Sequence, residues 1–166
     1  MVRKLVCVML LVVLASCGEP KTTWDDVYKM VDSGELKSKI DEATASLDPL
    51  SHPGAVVVKD YLEAVTNGNY DSAWPKIEPN SPFMTAKVSK EELKKSFEST
   101  KMVNRYEGGV SITNIEVKKT MAGVRMIKVH FRLKVFDKVR NKYFDLDGAY
   151  TVSNLTGNWL IFSSDL

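Results

Sequence analysis

Apolar residues recur at intervals of three and four along the first part of the chain and then alternate with polar residues towards the C terminus. The first spacing is typical of amphipathic helices, and the second is typical of strands with one buried face. The spacing predicts a helix over 24–47 that is broken at Ser33-Gly34, a helix that ends at the 67–69 turn, a short helix from Asp71, and a helix over 89–100. Strands are predicted from Gly108 onward. This order predicts an α+β fold, with N-terminal helices followed by an antiparallel sheet of about four strands.

The two longest alternating segments, residues 127–135 and 142–152, predict a hairpin and its register. A turn that places Lys138 opposite Asn141 sets apolar residues against each other on one face of the pair and opposite charges against each other on the other face. The predicted pairs are Leu133 with Leu146, Phe131 with Gly148, Lys134 with Asp145, and Arg132 with Asp147. A slip of one residue would break both patterns, so the register is well specified.

The same reasoning, continued across the turn at 154–157, places Val152 opposite Trp159 and Tyr150 opposite Ile161. Trp159 is then expected on the apolar face of the sheet. Besides Tyr150 and Val152, the residues expected on that face in the middle of the two long strands are Ile127, Val129, Phe131, Leu133, Val135, Phe144 and Leu146. This set contains no ionisable group, so the apolar face offers no general base.

A row of basic side chains lies on the opposite face of the first strand, at Lys128, His130, Arg132 and Lys134. Such a row is one mark of a nucleic-acid or phospholipid site. Its predicted cross-strand partners are aspartates, however, and exposed pairs of that kind fix register and keep a sheet face soluble. We therefore interpret the row as a solvated face and expect no nucleic-acid partner.

The first sixteen residues have the pattern of an export signal. Arg3 and Lys4 precede ten apolar residues, and the small pair Ala15 and Ser16 comes just before Cys17. The apolar run is too short to span a bilayer, for which about 20 residues are needed. The tetrapeptide ending at Cys17 resembles the bacterial lipobox. That resemblance implies cleavage before Cys17 and acylation of this residue. The alternatives are an ordinary secretory signal with a cysteine near the cut and a short membrane-lodged tail.

Removal of this leader changes the charge and thiol content of the chain. It takes away Arg3, Lys4 and Cys7, so that 21 basic residues remain against 21 acidic ones and Cys17 has no partner for a disulfide. The small residues of the cleavage site, with Gly18 after Cys17, resemble lipoproteins sorted to the outer membrane. We therefore expect a lipid-anchored protein of the bacterial cell envelope, facing the periplasm and attached through the lipid on Cys17.

The pattern divides the chain into a signal peptide over 1–16, a lipidated tether over 17–23, a helical extension over 24–52 and a domain over 53–166, with the proline-rich segment 48–54 as the boundary. In this extension Trp24 either packs on the domain or lies near the lipid headgroups. Within the domain, the segments YLEAVTNGNYDSAW and GNWLIFSSD, with helices before a run of antiparallel strands, resemble the nuclear transport factor 2-like superfamily, in particular lipoprotein-associated members of unknown function.

That resemblance implies a strongly curved sheet that closes over the helices as a cone, often with a pocket at its mouth. The predicted pocket lining is Tyr61, Trp74, Phe97, Phe131, Tyr150 and Trp159. Superfamily members include enzymes similar to ketosteroid isomerases, which need an inward acid or histidine and a nearby hydrogen-bond donor. The candidates here are Asp60 or Asp71 as the base and Tyr61 or Tyr150 as the donor.

No other chemistry is indicated by the sequence. His52 and His130 are far apart and have no neighbouring cysteine, so no metal site and no cofactor are expected. We expect a non-catalytic domain, a monomer or weak dimer, that binds a small apolar ligand or an envelope protein through the cone mouth and the 78–87 loop. An enzyme or degenerate enzyme of the ketosteroid isomerase-like kind is the alternative.

Overall fold

The structure is a computed structural model and describes residues 21–81 and 89–164. Its helices are α1 (Trp24–Ser33), α2 (Lys37–Ala45), α3 (Pro53–Thr66), α4 (Tyr70–Ala73) and α5 (Lys90–Val103), with 3-10 turns at Pro49–Ser51 and Trp74–Lys76. Its strands are β1 (Asn104–Val117), β2 (Met126–Asp137), β3 (Lys142–Ser153) and β4 (Leu160–Ser164). The predicted α+β class, with helices before a four-stranded antiparallel sheet, is confirmed.

Local signals explain where the helices begin and end. Thr23 and Asp26 form a capping box at the start of α1, and Gly34 ends this helix in the left-handed conformation, with φ of 77°. The break predicted at Ser33-Gly34 is therefore confirmed. Ser89 and Glu92 form a second capping box at the start of α5. None of the described helices is long and apolar enough to cross a membrane.

The strands follow one another across the sheet in the order β1-β2-β3-β4. Between β2 and β3 the four predicted pairs are all present, including Leu133 with Leu146 and Arg132 with Asp147. The turn places Asn141 in the left-handed region with φ of 52°, and the carboxylate of Asp137 accepts hydrogen bonds from the amides of Val139 and Arg140. Register shifts in β1 and in the β3–β4 pair bend the sheet.

The predicted register between β3 and β4 is wrong by two residues at Val152 and by three at Tyr150, because a register shift lies between Thr151 and Val152. Val152 pairs with Ile161 instead of Trp159, and Tyr150 pairs with Ser164 instead of Ile161. Strand β3 ends at Ser153, because the amide of Asn154 donates to the carbonyl of Arg125 and its side-chain oxygen accepts from the amide of Arg125. The turn that follows is therefore longer than expected. Pairing resumes only at Leu160.

The core lies between α3 and the apolar face of the sheet. It contains Val58, Tyr61, Leu62 and Val65 of α3 together with Ile127, Val129, Phe131, Leu133 and Val135 of β2. Two residues predicted for this face are not buried, since Phe144 and Leu146 are each 37% exposed. They precede the part of β3 that pairs with β4, and burial along β3 begins only near Gly148. This end of the sheet is consequently left open to solvent.

Candidate functional site

Three of the predicted pocket residues meet inside the fold. The ring of Tyr150 lies 5.3 Å from that of Phe131 in a stacked arrangement and 5.5 Å from that of Tyr61 in an edge-on arrangement. Each of the three residues is at most 2% exposed. The aromatic rings therefore fill the space between α3 and strands β2 and β3 with direct contacts.

The hydroxyls of Tyr61 and Tyr150 remain protonated at neutral pH. Burial raises the pKa of Tyr61 to about 12, against the opposing effect of its hydrogen bond with Tyr150. Burial likewise raises the pKa of Tyr150 well above its ordinary value, and the neighbouring Tyr61 raises it further. Both side chains can donate hydrogen bonds, but neither can act as a base.

The other three predicted residues lie around the edge of the same core. Trp74, Phe97 and Trp159 are partly buried hydrophobic residues packed against it. Trp159 contacts the ring of His52, with ring centroids 4.8 Å apart. The pocket lined by all six residues stays a prediction, and the described geometry places three inside the core and three at its margin.

His52 is the centre of a buried aromatic cluster that the sequence did not reveal. It is 1% exposed and lies between Trp24 at 5.1 Å and Trp159 at 4.8 Å, measured between ring centroids. Its Nδ1 accepts a hydrogen bond from the amide of Gly54 at 3.0 Å, which caps α3. Its Nε2 lies 3.2 Å from the hydroxyl of Tyr28. Because Nδ1 accepts, the ring is neutral and Nε2 carries the proton.

This cluster joins the N-terminal extension to the domain. Trp24 donates a hydrogen bond from its indole to Ser51, and the guanidinium of Arg125 lies 4.6 Å from the centroid of the Tyr28 ring while it pairs with Asp25 at 2.7 Å. Of the two readings of Trp24, the structure shows packing on the domain. Burial, reinforced by the positive charge of Arg125, lowers the pKa of His52 to about 4.

Glu78 is a second buried polar residue that the sequence did not single out. Its side chain is fully buried, Oε2 lies 3.4 Å from the hydroxyl of Thr156, and Oε1 has no hydrogen-bond partner among the described residues. The backbone amide of Glu78 donates to the carbonyl of Ile161, where a parallel bridge between Ile77 and Ile161 extends the sheet beyond β4. Among the described residues, this buried carboxyl group thus has one long contact, which compensates its desolvation poorly.

The carboxylates considered as catalytic bases lie on the outside of the helices. Asp60 is 46% exposed in its side chain and pairs with Lys76, and Asp71 is 84% exposed and pairs with Lys90. The hydrogen bond and the charge of Lys90 lower the pKa of Asp71 below its ordinary range. This pairing stabilises Asp71 in its ionised form. The enzyme hypothesis required one of the two acids at a cavity, and Asp71 lines an open surface depression with Tyr70 and Lys90.

The outer face of the sheet is an ionic surface, as the register predicted. Arg132 donates two hydrogen bonds to Asp147, at 2.7 and 3.0 Å, and His130 lies 2.7 Å from Glu116. The hydrogen bond from Arg132 lowers the pKa of Asp147. Within residues 21–81 and 89–164, no group of three or more histidine, cysteine or acidic residues could hold a metal ion.

At the hairpin end of the sheet, hydrophobic side chains reach solvent on both faces. Phe144 and Leu146 are exposed on the inner side, and Tyr143 and Val139 are 51% and 79% exposed. Lys134 lies 5.1 Å from the ring of Tyr143. Cys17 and residues 82–87 of the predicted 78–87 binding loop lie outside the described residues.

Neither a family model nor a curated protein matches the sequence. Among solved structures, the chain is similar to the helical cell shape determining protein Pgp2 of Campylobacter jejuni, with 14% identity over 66% of this chain and 38% of that one and a TM-score of 0.46. It is also similar to a ketosteroid isomerase-like protein of Erwinia carotovora atroseptica, with 16% identity over 69% and 95% of the two chains and a TM-score of 0.45. These values assign neither a family nor an activity.

Proposed function

We propose that this chain is a lipid-anchored, non-catalytic domain of the nuclear transport factor 2-like kind that binds a protein partner in the bacterial envelope. The observation that carries the proposal is the open hairpin end of the sheet, where Phe144 and Leu146 remain 37% exposed although the β2 residues opposite them are buried. Exposed apolar side chains that lie together can mark an interaction surface, and Val139 and Tyr143 are exposed at the same hairpin end.

A protein partner fits the geometry better than a small apolar ligand. Tyr61, Phe131 and Tyr150, which the cone model places around a ligand, contact one another and are already buried. A ligand there would have to separate packed rings, whereas a protein surface can cover Phe144 and Leu146 without any rearrangement. The exposed positions of Asp60 and Asp71 supply no argument for a catalytic function.

The anchor is supported by the leader pattern that ends at Cys17. The test compares the full-length chain with its Cys17→Ala variant in a bacterial host, by membrane fractionation and by mass spectrometry of the N-terminal peptide. We expect the wild-type chain in the membrane fraction with an acylated Cys17, and the variant in the soluble or unprocessed fraction. A wild-type N-terminal peptide without lipid would overturn the anchoring half of the proposal.

The binding half is tested by site-specific crosslinking in intact envelopes. A photoreactive amino acid placed at Leu146 should give a discrete adduct with one protein, and the same group placed at Asp41, on exposed helix α2, serves as the control. An adduct from both positions at equal yield, or from neither, would count against a binding surface at the hairpin end. A bound small molecule in native mass spectra, with no protein adduct, would support the ligand version instead.

A further inference from the structure

One edge of the sheet is left unpaired over half the length of β3. Strand β4 pairs only with Tyr150 to Ser153, whereas β3 starts at Lys142 and pairs with β2 along its whole length. Residues 142–147 therefore present the second edge of β3 without a neighbouring strand among the described residues, and every one of them is exposed. We call residues 142–147 the β3 edge. Unpaired backbone amides and carbonyls on such an edge are a template for another strand.

The two faces of the β3 edge differ in chemistry. Phe144 and Leu146 lie on the inner face, and Asp145 and Asp147 lie on the outer face, with side chains 53% and 61% exposed. Strand β2 matches both faces on the paired side, where Val135 and Leu133 lie opposite the apolar residues and Lys134 and Arg132 lie opposite the aspartates. A strand on the free side would meet the same alternation of apolar and acidic positions.

We propose that the β3 edge binds an extended segment of the partner protein in which lysine or arginine alternates with apolar residues. The proposal rests on the function proposed above and names the chemistry of its partner. The bound segment adds a strand to the sheet, with its apolar side chains on Phe144 and Leu146 and its basic side chains beside Asp145 and Asp147. Six residues of contact correspond to about 20 Å of strand.

A second copy of this chain is a poorer occupant than a basic strand. In antiparallel pairing, opposed residues share a face, so two copies of the β3 edge would set Asp145 or Asp147 against another aspartate or against Tyr143. Like charges opposed across strands are destabilising, and Arg132 is already engaged by its own strand neighbours. Charge complementarity thus favours a different, basic segment.

The experiment measures binding of a labelled synthetic peptide, TLKVRLKVT, to the protein expressed from its full sequence and purified in detergent, by fluorescence anisotropy at low salt. The permuted peptide TKKRLLVVT has the same composition without the alternation. We expect the alternating peptide to bind at least tenfold more tightly than the permuted one. The double variant Asp145→Asn, Asp147→Asn should weaken binding about three- to tenfold, as the loss of two exposed charge pairs predicts. The matched control, Asp41→Asn with Glu42→Gln on α2, removes the same charge elsewhere and should leave binding unchanged.

Two N-methylated peptides separate strand addition from simple charge attraction. Methylation of alternate amides in one register removes the donors that face the β3 edge, and methylation in the other register removes donors that face solvent. We expect the peptide that lacks the donors facing the β3 edge to lose binding and the other methylated peptide to bind. Equal binding of the alternating and permuted peptides, or of the two methylated sets, would overturn the inference.

The outcomes distinguish this inference from the proposed function. If a crosslinked partner is found at Leu146 but the alternating peptide does not bind, the protein-binding function stands and the basic-strand partner is refuted. If the peptide binds but no envelope adduct forms, the β3 edge has the proposed chemistry and the proposed cellular function fails. A dimer of the wild-type protein that is lost with Leu146→Lys would identify a second copy as the occupant and refute the basic segment.

Discussion

Acidification should destabilise this fold through His52. The folded protein holds the imidazole neutral, because Nδ1 accepts the amide hydrogen of Gly54 and no carboxylate within the described part of the chain hydrogen-bonds to the ring. A proton on Nδ1 would point at that amide and remove the cap of α3. The neutral ring also lies between Trp24 and Trp159, away from solvent that could hydrate a charge.

The size of the effect follows from the difference between two pKa values. His52 has an ordinary pKa of 6.5 when the chain is unfolded and a pKa of about 4 in the folded protein. Above pH 6.5 the ring is neutral in both states and makes no pH-dependent contribution. Between pH 6.5 and pH 4 the unfolded chain takes up a proton that the folded chain does not. The free energy of unfolding should therefore fall by up to about 3 kcal/mol over this interval, at 1.36 kcal/mol per pKa unit.

The assay is urea denaturation followed by tryptophan fluorescence, at a series of pH values, for the chain from Gly18 and its His52→Asn variant. Asparagine can still cap α3 but does not titrate. At neutral pH the His52→Asn variant should have a lower free energy of unfolding than the wild type, because it loses the ring contacts. The difference in the free energy of unfolding between the two proteins should narrow by about 3 kcal/mol towards pH 4. The Phe144→Ala variant, which removes no titratable group, should retain the wild-type dependence. A constant difference between wild type and His52→Asn at all pH values would refute this reasoning.

Three further predictions concern the core and its margin. Gly54→Ala should destabilise the fold by about 1–3 kcal/mol in the same urea assay, because the added Cβ would lie 2.7 Å from Cδ1 of Ile127; wild-type stability would mean that this contact relaxes freely. Phe131→Ala should lower the free energy of unfolding by about 3–5 kcal/mol, whereas Phe144→Ala should lower it by less than about 1 kcal/mol. Equal losses of stability would contradict the difference in burial between the two rings. Glu78→Gln should raise the free energy of unfolding by about 1 kcal/mol, since an amide is cheaper to bury than a carboxylate with one long contact; a marked loss of stability would instead assign the carboxylate a partner that the fold requires.

The hairpin of β2 and β3 could be predicted from sequence because two independent patterns select the same register. Apolar alternation alone would allow a shift by two residues, but such a shift leaves one opposition of basic to acidic residues in place of the two that pair Arg132 with Asp147 and Lys134 with Asp145. The β3–β4 pair has no such second pattern. Its register depended on an assumed turn length. Two hydrogen bonds between Asn154 and the backbone of Arg125, a residue distant in sequence, lengthened that turn: the Asn154 amide donates to the Arg125 carbonyl, and the Asn154 side chain accepts from the Arg125 amide.

The functional features were harder to predict because they depend on what covers each residue. Histidine is not a common helix cap, so the His-Pro pair at the start of α3 indicated a boundary but not a buried ring. Phe144 and Leu146 follow the same alternation as their buried neighbours, and only the short pairing of β4 leaves them exposed. Of the predicted pocket residues, periodicity placed Tyr61, Phe131 and Tyr150 inside the fold, but it could not show that their rings contact one another.

The positions of the His52 cluster and the β3 edge also define how the domain would stand on a membrane. Helix α1 is attached at the Arg125 end of β2, through Asp25, so the proposed anchor on Cys17 would join the domain at that end of the strand. The hairpin lies at the other end, and the twelve residues of β2 span about 40 Å. A short tether on Cys17 would then hold the His52 cluster near the bilayer and direct the β3 edge away from it. The basic segment that we propose as its occupant would come from a protein that extends into the compartment, and not from one confined to the membrane surface.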